Sequence, residues 1–116
     1  MPEGKRKGRP NVGQITDRNV LEKDIEEKLR KMVESHGGKC LKWVCPGWSG
    51  VPDRIVLLPG GRIIFVETKR PKGGKLSKMQ EKWAEWLDGM DFMVTVAWSE
   101  ADVWALEFVI KHMLTR

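Results

Sequence analysis

Two apolar, β-branched runs, Val51–Leu58 and Arg62–Lys69, are separated only by Pro59-Gly60-Gly61, the signature of a hairpin. Strand alternation places Ile55, Leu57, Ile63 and Phe65 on one side and Val56, Leu58, Ile64 and Val66 on the other. A hairpin that is apolar on both sides has to be covered twice. This predicts a central mixed sheet flanked by helices, an α/β sandwich. With 116 residues the chain can close one such core and not two.

The rest of the chain supplies the covers. After Thr16-Asp17, a cap, the residues Val20, Leu21, Ile25, Leu29, Met32 and Val33 recur at helical spacing until His36-Gly37-Gly38 ends the pattern. Cys40–Cys45 reads as a short strand, followed by the turn-rich loop Pro46-Gly47-Trp48-Ser49-Gly50. Beyond the loop Arg70–Lys75, the residues Leu76, Met79, Trp83, Trp86 and Leu87 mark a second helix, opened near Ser77 and closed near Gly89. Phe92–Ala97 reads as a fourth strand. Ser99-Glu100-Ala101-Asp102 resembles a capping box ahead of a last helix with Val103, Leu106, Val109, Ile110 and Leu114 inward. The predicted order is helix, three strands, helix, strand, helix.

Composition narrows the classes of function. Hydrophobic residues at 41% and charged residues at 32% describe a globular chain, and no run approaches the roughly 20 apolar residues of a membrane helix. No apolar stretch follows Met1-Pro2-Glu3-Gly4-Lys5, so an intracellular protein, in cytoplasm or nucleoid, is expected. Cys40 and Cys45 are expected to be reduced, buried thiols at strand positions. With His36 and His112 standing alone, the Cys-x4-Cys spacing lacks the second ligand pair of a zinc site. A net charge of +5 suits a polyanionic partner. Residues 1–15, which carry Lys5, Arg6, Lys7 and Arg9, are expected to form a flexible basic arm, either a solubilising tail or a tether for phosphates, with residues 16–116 as the folded domain.

The candidate chemistry sits at the end of the hairpin. Glu67 and Lys69, two apart in a strand, point the same way and follow four apolar residues. A two-residue loop would pair Asp53 with Thr68 and throw Asp53 and Glu67 onto opposite faces. A three-residue loop, Pro59-Gly60-Gly61, pairs Leu58 with Arg62 and hence Asp53 with Glu67, so that Asp53, Glu67 and Lys69 converge. Two facing carboxylates repel unless a cation lies between them. Mg²⁺ or Mn²⁺, held by Asp53, Glu67 and the backbone carbonyl of Thr68, would supply it, with Lys69 assisting hydrolysis of a phosphodiester. The same residues also read as a turn aspartate and an exposed, ion-paired strand end. Arg70, Lys72, Lys75 and Lys78 follow the strand and are candidate phosphate contacts, and Trp48 is a candidate base-stacking or dimer contact. Trp83 and Trp86 are assigned to the core or a subunit interface.

Gly50-Val51-Pro52-Asp53, then after fourteen residues Val66-Glu67-Thr68-Lys69, resembles the signature of the PD-(D/E)xK nuclease superfamily. Gly50-Val51-Pro52-Asp53-Arg54, the hairpin Leu58-Pro59-Gly60-Gly61-Arg62 and Lys75-Leu76-Ser77 with Gln80 further resemble the stand-alone phage and bacterial type of the virus-type replication-repair nuclease (VRR-NUC) domain, from about Val20 to the C-terminus. The resemblance implies a restriction-endonuclease-like core, αβββαβα, and a metal-dependent endonuclease that acts as a homodimer on branched DNA, notably four-way junctions. It also implies a further acid from the first helix, Glu26 with Glu22 as its rival, and a polar helix-borne residue near the site, Gln80. The basic arm lies outside the family pattern. Two alternatives stand beside this reading. One is a flap or DNA-end nuclease of the same fold, and the other a non-catalytic basic DNA-binding module. A sequence-specific restriction enzyme would need a base-reading element for which the chain has no surplus.

Overall fold

The computed structural model describes residues 21–115. The basic arm and Thr16-Asp17 lie outside the described residues, and the first described helix starts at Glu22 with an extended Leu21 as its N-cap, so Leu21 stands before this helix and not within it as the spacing predicted. The elements follow the predicted order: α1 (Glu22–Ser35), β1 (Lys39–Lys42), β2 (Arg54–Leu58), β3 (Arg62–Thr68), α2 (Lys78–Gly89), β4 (Met93–Ala97) and α3 (Glu100–Leu114). The strands lie in the order β1-β2-β3-β4, with β1–β2 and β2–β3 antiparallel and β4 parallel to β3. This is the mixed sheet between helices that the doubly apolar hairpin requires, and among the described residues no helix is long and apolar enough to cross a membrane.

The two faces are covered unequally. Val56, Leu58, Ile64 and Val66 form the core with Ile25, Leu29 and Val33 of α1 and Val103, Leu106 and Ile110 of α3. On the other face Phe65 is buried under aromatic rings. Trp43 lies 5.1 Å and Phe92 5.4 Å from it, and Trp83 of α2 meets Trp43, Trp48 and Trp86 edge-on. Leu57 and Ile63, at the hairpin end of that face, remain exposed because α2 reaches only the opposite end of the sheet.

β1 is shorter than expected. It ends at Lys42, and Trp43 to Pro52 cross the edge of the sheet as irregular chain; Cys40 is buried in β1 as predicted, whereas Cys45 lies in the loop and is half-buried. Burial pushes the Cys40 thiol up to about 11, so it is inert packing. Ser77 and Ser99 cap α2 and α3 as predicted, accepting from the amides of Gln80 and Asp102. The loop before β2 is pinned at Gly50, which has φ +86° and packs so closely on α2 that an added Cβ would lie 2.6 Å from the Met79 Cβ. Gly50→Ala should therefore cost about 2 kcal/mol or more, from left-handed strain plus the clash. Chemical denaturation of the purified variant measures this loss.

Candidate active site

The hairpin register places the acids. Leu58 pairs with Arg62 across the three-residue loop, and the ladder runs to Arg54 opposite Val66, so Asp53 stands just beyond its last rung. Because Asp53 precedes the strand, alternation does not hold its side chain, and the carboxylate turns to Thr68. The Thr68 amide donates to Asp53 Oδ1 at 2.8 Å and its hydroxyl to Oδ2 at 2.6 Å. The same hydroxyl lies 3.2 Å from Glu26 Oε2. Thr68 shares the face of Val66, toward α1, whereas Glu67 and Lys69 share the face of Phe65, toward α2.

The expected convergence of Asp53, Glu67 and Lys69 on one face is thus replaced by two groups flanking the end of β3. Toward α1, carboxylate oxygens of Glu22, Glu26 and Asp53 all lie within 4.8 Å of one another. The choice between Glu22 and Glu26 dissolves, since one turn of α1 brings both to Asp53. Toward α2, Gln80 Nε2 donates to Glu67 Oε2 at 3.0 Å, and Lys69 Nζ lies 3.8 Å from the same oxygen. Gln80 also closes the capping box of α2, its Oε1 accepting from the Ser77 amide at 2.8 Å, so the helix start fixes the amide that holds Glu67.

Electrostatics bind the two groups together. Burial, then repulsion from Asp53, pushes the Glu67 carboxyl up to about 7 against the pull of Lys69. Asp53 is also raised, by burial against the lowering effect of the Thr68 hydrogen bonds, with Glu26 adding to the rise. Glu22 is raised by burial and by the other two acids, and lowered by Lys69 and Arg70. One hydroxyl proton on Thr68 cannot serve two carboxylates, so the cluster is short of positive charge.

Arg54 supplies part of it. Its Nη2 lies 3.0 Å from Glu26 Oε1 and its Nε 3.8 Å from Asp53 Oδ2. The donor set fits a hard divalent cation. It is all oxygen, and Glu67 Oε1 is buried without a hydrogen-bond partner among the described residues.

Arg54 and the Thr68 side chain escaped the sequence reading. Arg54 reads as an ordinary strand residue and Thr68 as a carbonyl ligand alone; strand parity, which sends residue 68 to the α1 face, is the available signal. Arg70, Lys72, Lys75 and Lys78 are exposed around the loop that leaves β3, and Trp48 is exposed beside Trp83.

Replacing Gln80 separates its two roles. Gln80→Ala should lower nuclease activity about 10- to 100-fold through loss of the Glu67 anchor, and stability by about 1 kcal/mol through the cap. Ser77→Ala should show the stability loss with activity nearly unchanged. Parallel melting curves and cleavage rates for the two variants check this.

An αβββαβα sheet with acids, an amide and a lysine gathered at the end of its central hairpin defines a nuclease core. The VRR-NUC domain model matches residues 6–101, and the chain belongs to that family. A solved VRR-NUC domain is similar with a TM-score of 0.70 and 32% identity, over 73% of this chain and 91% of that one. "Putative nuclease p44" of Acyrthosiphon pisum secondary endosymbiont phage 1 is 52% identical over 54 residues, which cover 47% of this chain and 58% of that protein. The match thus spans little more than half of that relative. The family match begins at residue 6, well before Val20, so it takes in most of the arm that was expected to fall outside the family pattern, and it ends at residue 101 within α3.

Proposed function

We propose that the chain is a Mg²⁺- or Mn²⁺-dependent, structure-selective DNA endonuclease, acting as a homodimer that resolves four-way junctions. The observation that carries the catalytic reading is the charge-deficient cluster of Glu22, Glu26 and Asp53, joined around the end of β3 to Glu67 with its unpartnered buried oxygen. Asp53, Glu67 and one or both α1 glutamates would hold the cation, with the Thr68 carbonyl as a further candidate ligand. When bound, the cation supplies Lewis-acid polarisation of the phosphodiester and a more acidic water.

The chain's own groups do the positioning. Thr68 fixes Asp53 through two hydrogen bonds, and Gln80 holds Glu67 Oε2 while Oε1 has no hydrogen-bond partner among the described residues. Lys69, only 16% exposed, keeps its ammonium beside Glu67, where it can orient the attacking water and stabilise charge building on the phosphate. Arg70, Lys72, Lys75 and Lys78 would take up backbone phosphates of the strand entering the site, and Trp48 offers a ring for an unpaired base. A non-catalytic DNA-binding module is disfavoured, since three clustered carboxylates repel DNA unless a cation joins them.

Junction preference rests on family resemblance and on symmetry, because two equivalent sites suit two equivalent strands. The test is cleavage of labelled four-way junction, flap and linear duplex DNA with Mg²⁺, Mn²⁺ or chelator. Paired, metal-dependent incisions in the junction are expected. Cutting confined to flaps or free ends would move the assignment to an end nuclease, and metal-independent binding without cleavage would overturn the catalytic reading.

A further inference from the structure

Helix α3 is apolar on two sides. Val103, Leu106 and Ile110 are buried against α1 and the sheet, yet Trp104 is 63% and Phe108 75% exposed, the latter the most exposed large hydrophobic side chain among the described residues. Ala101, Trp104, Ala105, Phe108, Lys111 and His112 form one exposed stripe at spacings of three and four, a second seam beside the buried one. A helix apolar all round is normally covered all round, and two aromatic rings one turn apart are far more exposed surface than a solvated helix requires.

We infer that this stripe pairs with the same stripe of a second copy, the two α3 helices crossing antiparallel about a two-fold axis near Leu106. The inference rests on the homodimeric reading above and names the surface that makes it.

Self-complementarity selects this occupant. Antiparallel pairing about Leu106 sets Trp104 of one copy against Phe108 of the other, twice, as a two-fold interface requires. Ala101 then lies opposite Lys111, so the small side chain leaves room for the lysine stem. The first turn of α3 is acidic, with Glu100 and Asp102, and the last turn is basic, with Lys111 and His112; antiparallel packing brings unlike turns together, whereas parallel packing would bring like turns together.

Two aromatics on each copy bury about 300 Å² per partner. That is a substantial part of the roughly 800 Å² of a stable interface, with the stripe's other residues and the adjoining α1 surface to complete it. Of the α2 aromatics, to which sequence alone pointed for association, Trp83 is taken up by edge-on contacts with Trp43, Trp48 and Trp86, and Trp86 at 43% is less exposed than either α3 ring.

Sedimentation velocity of the full chain tests the proposal. The wild type should be a dimer, and Trp104→Glu and Phe108→Glu should each weaken it 30-fold or more, as central aromatic anchors do. Both positions are exposed, so the variants should keep wild-type circular dichroism. Lys111→Glu should weaken the dimer several-fold at low salt. The monomeric variants should still nick DNA in the presence of metal while losing paired incisions. Aromatic variants that both stay as dimeric as the wild type would overturn the α3 surface and leave the dimer standing. A monomeric wild type would overturn this surface and the homodimer together, and metal-dependent nicking would survive either result.

Discussion

Lys69→Ala is expected to abolish DNA cleavage, by about 10³-fold or more, in a protein that folds as the wild type does. The two halves of this expectation have separate causes. The backbone of Lys69 is secured independently of its side chain, because its amide donates to the Ala97 carbonyl at 2.9 Å in the pairing of β3 with β4. Among the described residues the side chain itself makes one polar contact, the 3.8 Å approach to Glu67, so its removal leaves none of their buried donors unsatisfied. Its removal does take away the one charge that opposes the upward pressure of burial and Asp53 on the Glu67 carboxyl. On the proposed mechanism truncation therefore acts twice, by removing the ammonium that would orient the attacking water and by making Glu67 harder to ionise.

Lys69→Arg is the informative partner. It keeps the charge but spreads it over a planar fork that cannot occupy the same point, and recovery of only a small part of the rate is expected. Single-turnover cleavage on junction DNA, alongside melting curves, separates chemistry from folding. Wild-type rates in the alanine variant would remove Lys69 from the mechanism.

The fold was legible in the sequence because its strongest signal was also its most restrictive. An all-apolar hairpin with a three-residue loop dictates both the register and the need for two covers, and Leu58 does pair with Arg62. Helix boundaries followed from Ser77 and Ser99, whose caps need only local geometry. Parity likewise brings Glu67 and Lys69 together at the end of β3, but the facing of Asp53 with Glu67 that the same register implied is not what the structure shows.

What escaped was the direction of groups just outside the regular elements. Asp53 stands one residue before β2, where a bend lets it follow hydrogen bonds to Thr68 instead of the pleat. The α1 acids were uncertain for a related reason. Periodicity says that Glu22 and Glu26 share a helix face, but the angle at which α1 meets the sheet decides whether one or both reach Asp53, and that angle is set by tertiary packing. The double apolar character of α3 was present in the spacing of Trp104 and Phe108. It was hidden because either seam alone suffices to explain a core helix.

In chelator, the protein should lose stability as the pH rises from 4.5 to 7, and Glu67→Gln should remove most of that loss. The sign follows from proton linkage. An ordinary glutamate releases its proton near 4.5, while Glu67 in the folded protein holds it to about 7, chiefly through burial and secondly through Asp53. Between those values the folded state binds more protons than the unfolded state, so stability falls as pH increases, and it levels off above 7. The gap corresponds to about 3 kcal/mol, enough to shift the melting temperature by roughly 10 to 15 °C for a domain of this size. Asp53, raised in the same direction, adds to the slope.

The neutral amide of Glu67→Gln has no charge to desolvate. The variant should therefore be more stable than wild type at pH 8 in chelator and nearly equal to it at pH 4.5, while being inactive. Divalent cation should invert the wild-type profile, because it competes with the proton for the same carboxyl and stabilises most where that carboxyl is ionised. Urea denaturation at pH 4.5, 6, 7 and 8, with and without Mn²⁺, measures both effects. If wild type and Glu67→Gln gave parallel curves in chelator, the buried acid at the end of β3 would not be the group that sets the pH dependence, and Glu22, Glu26 and Asp53 would have to carry it alone.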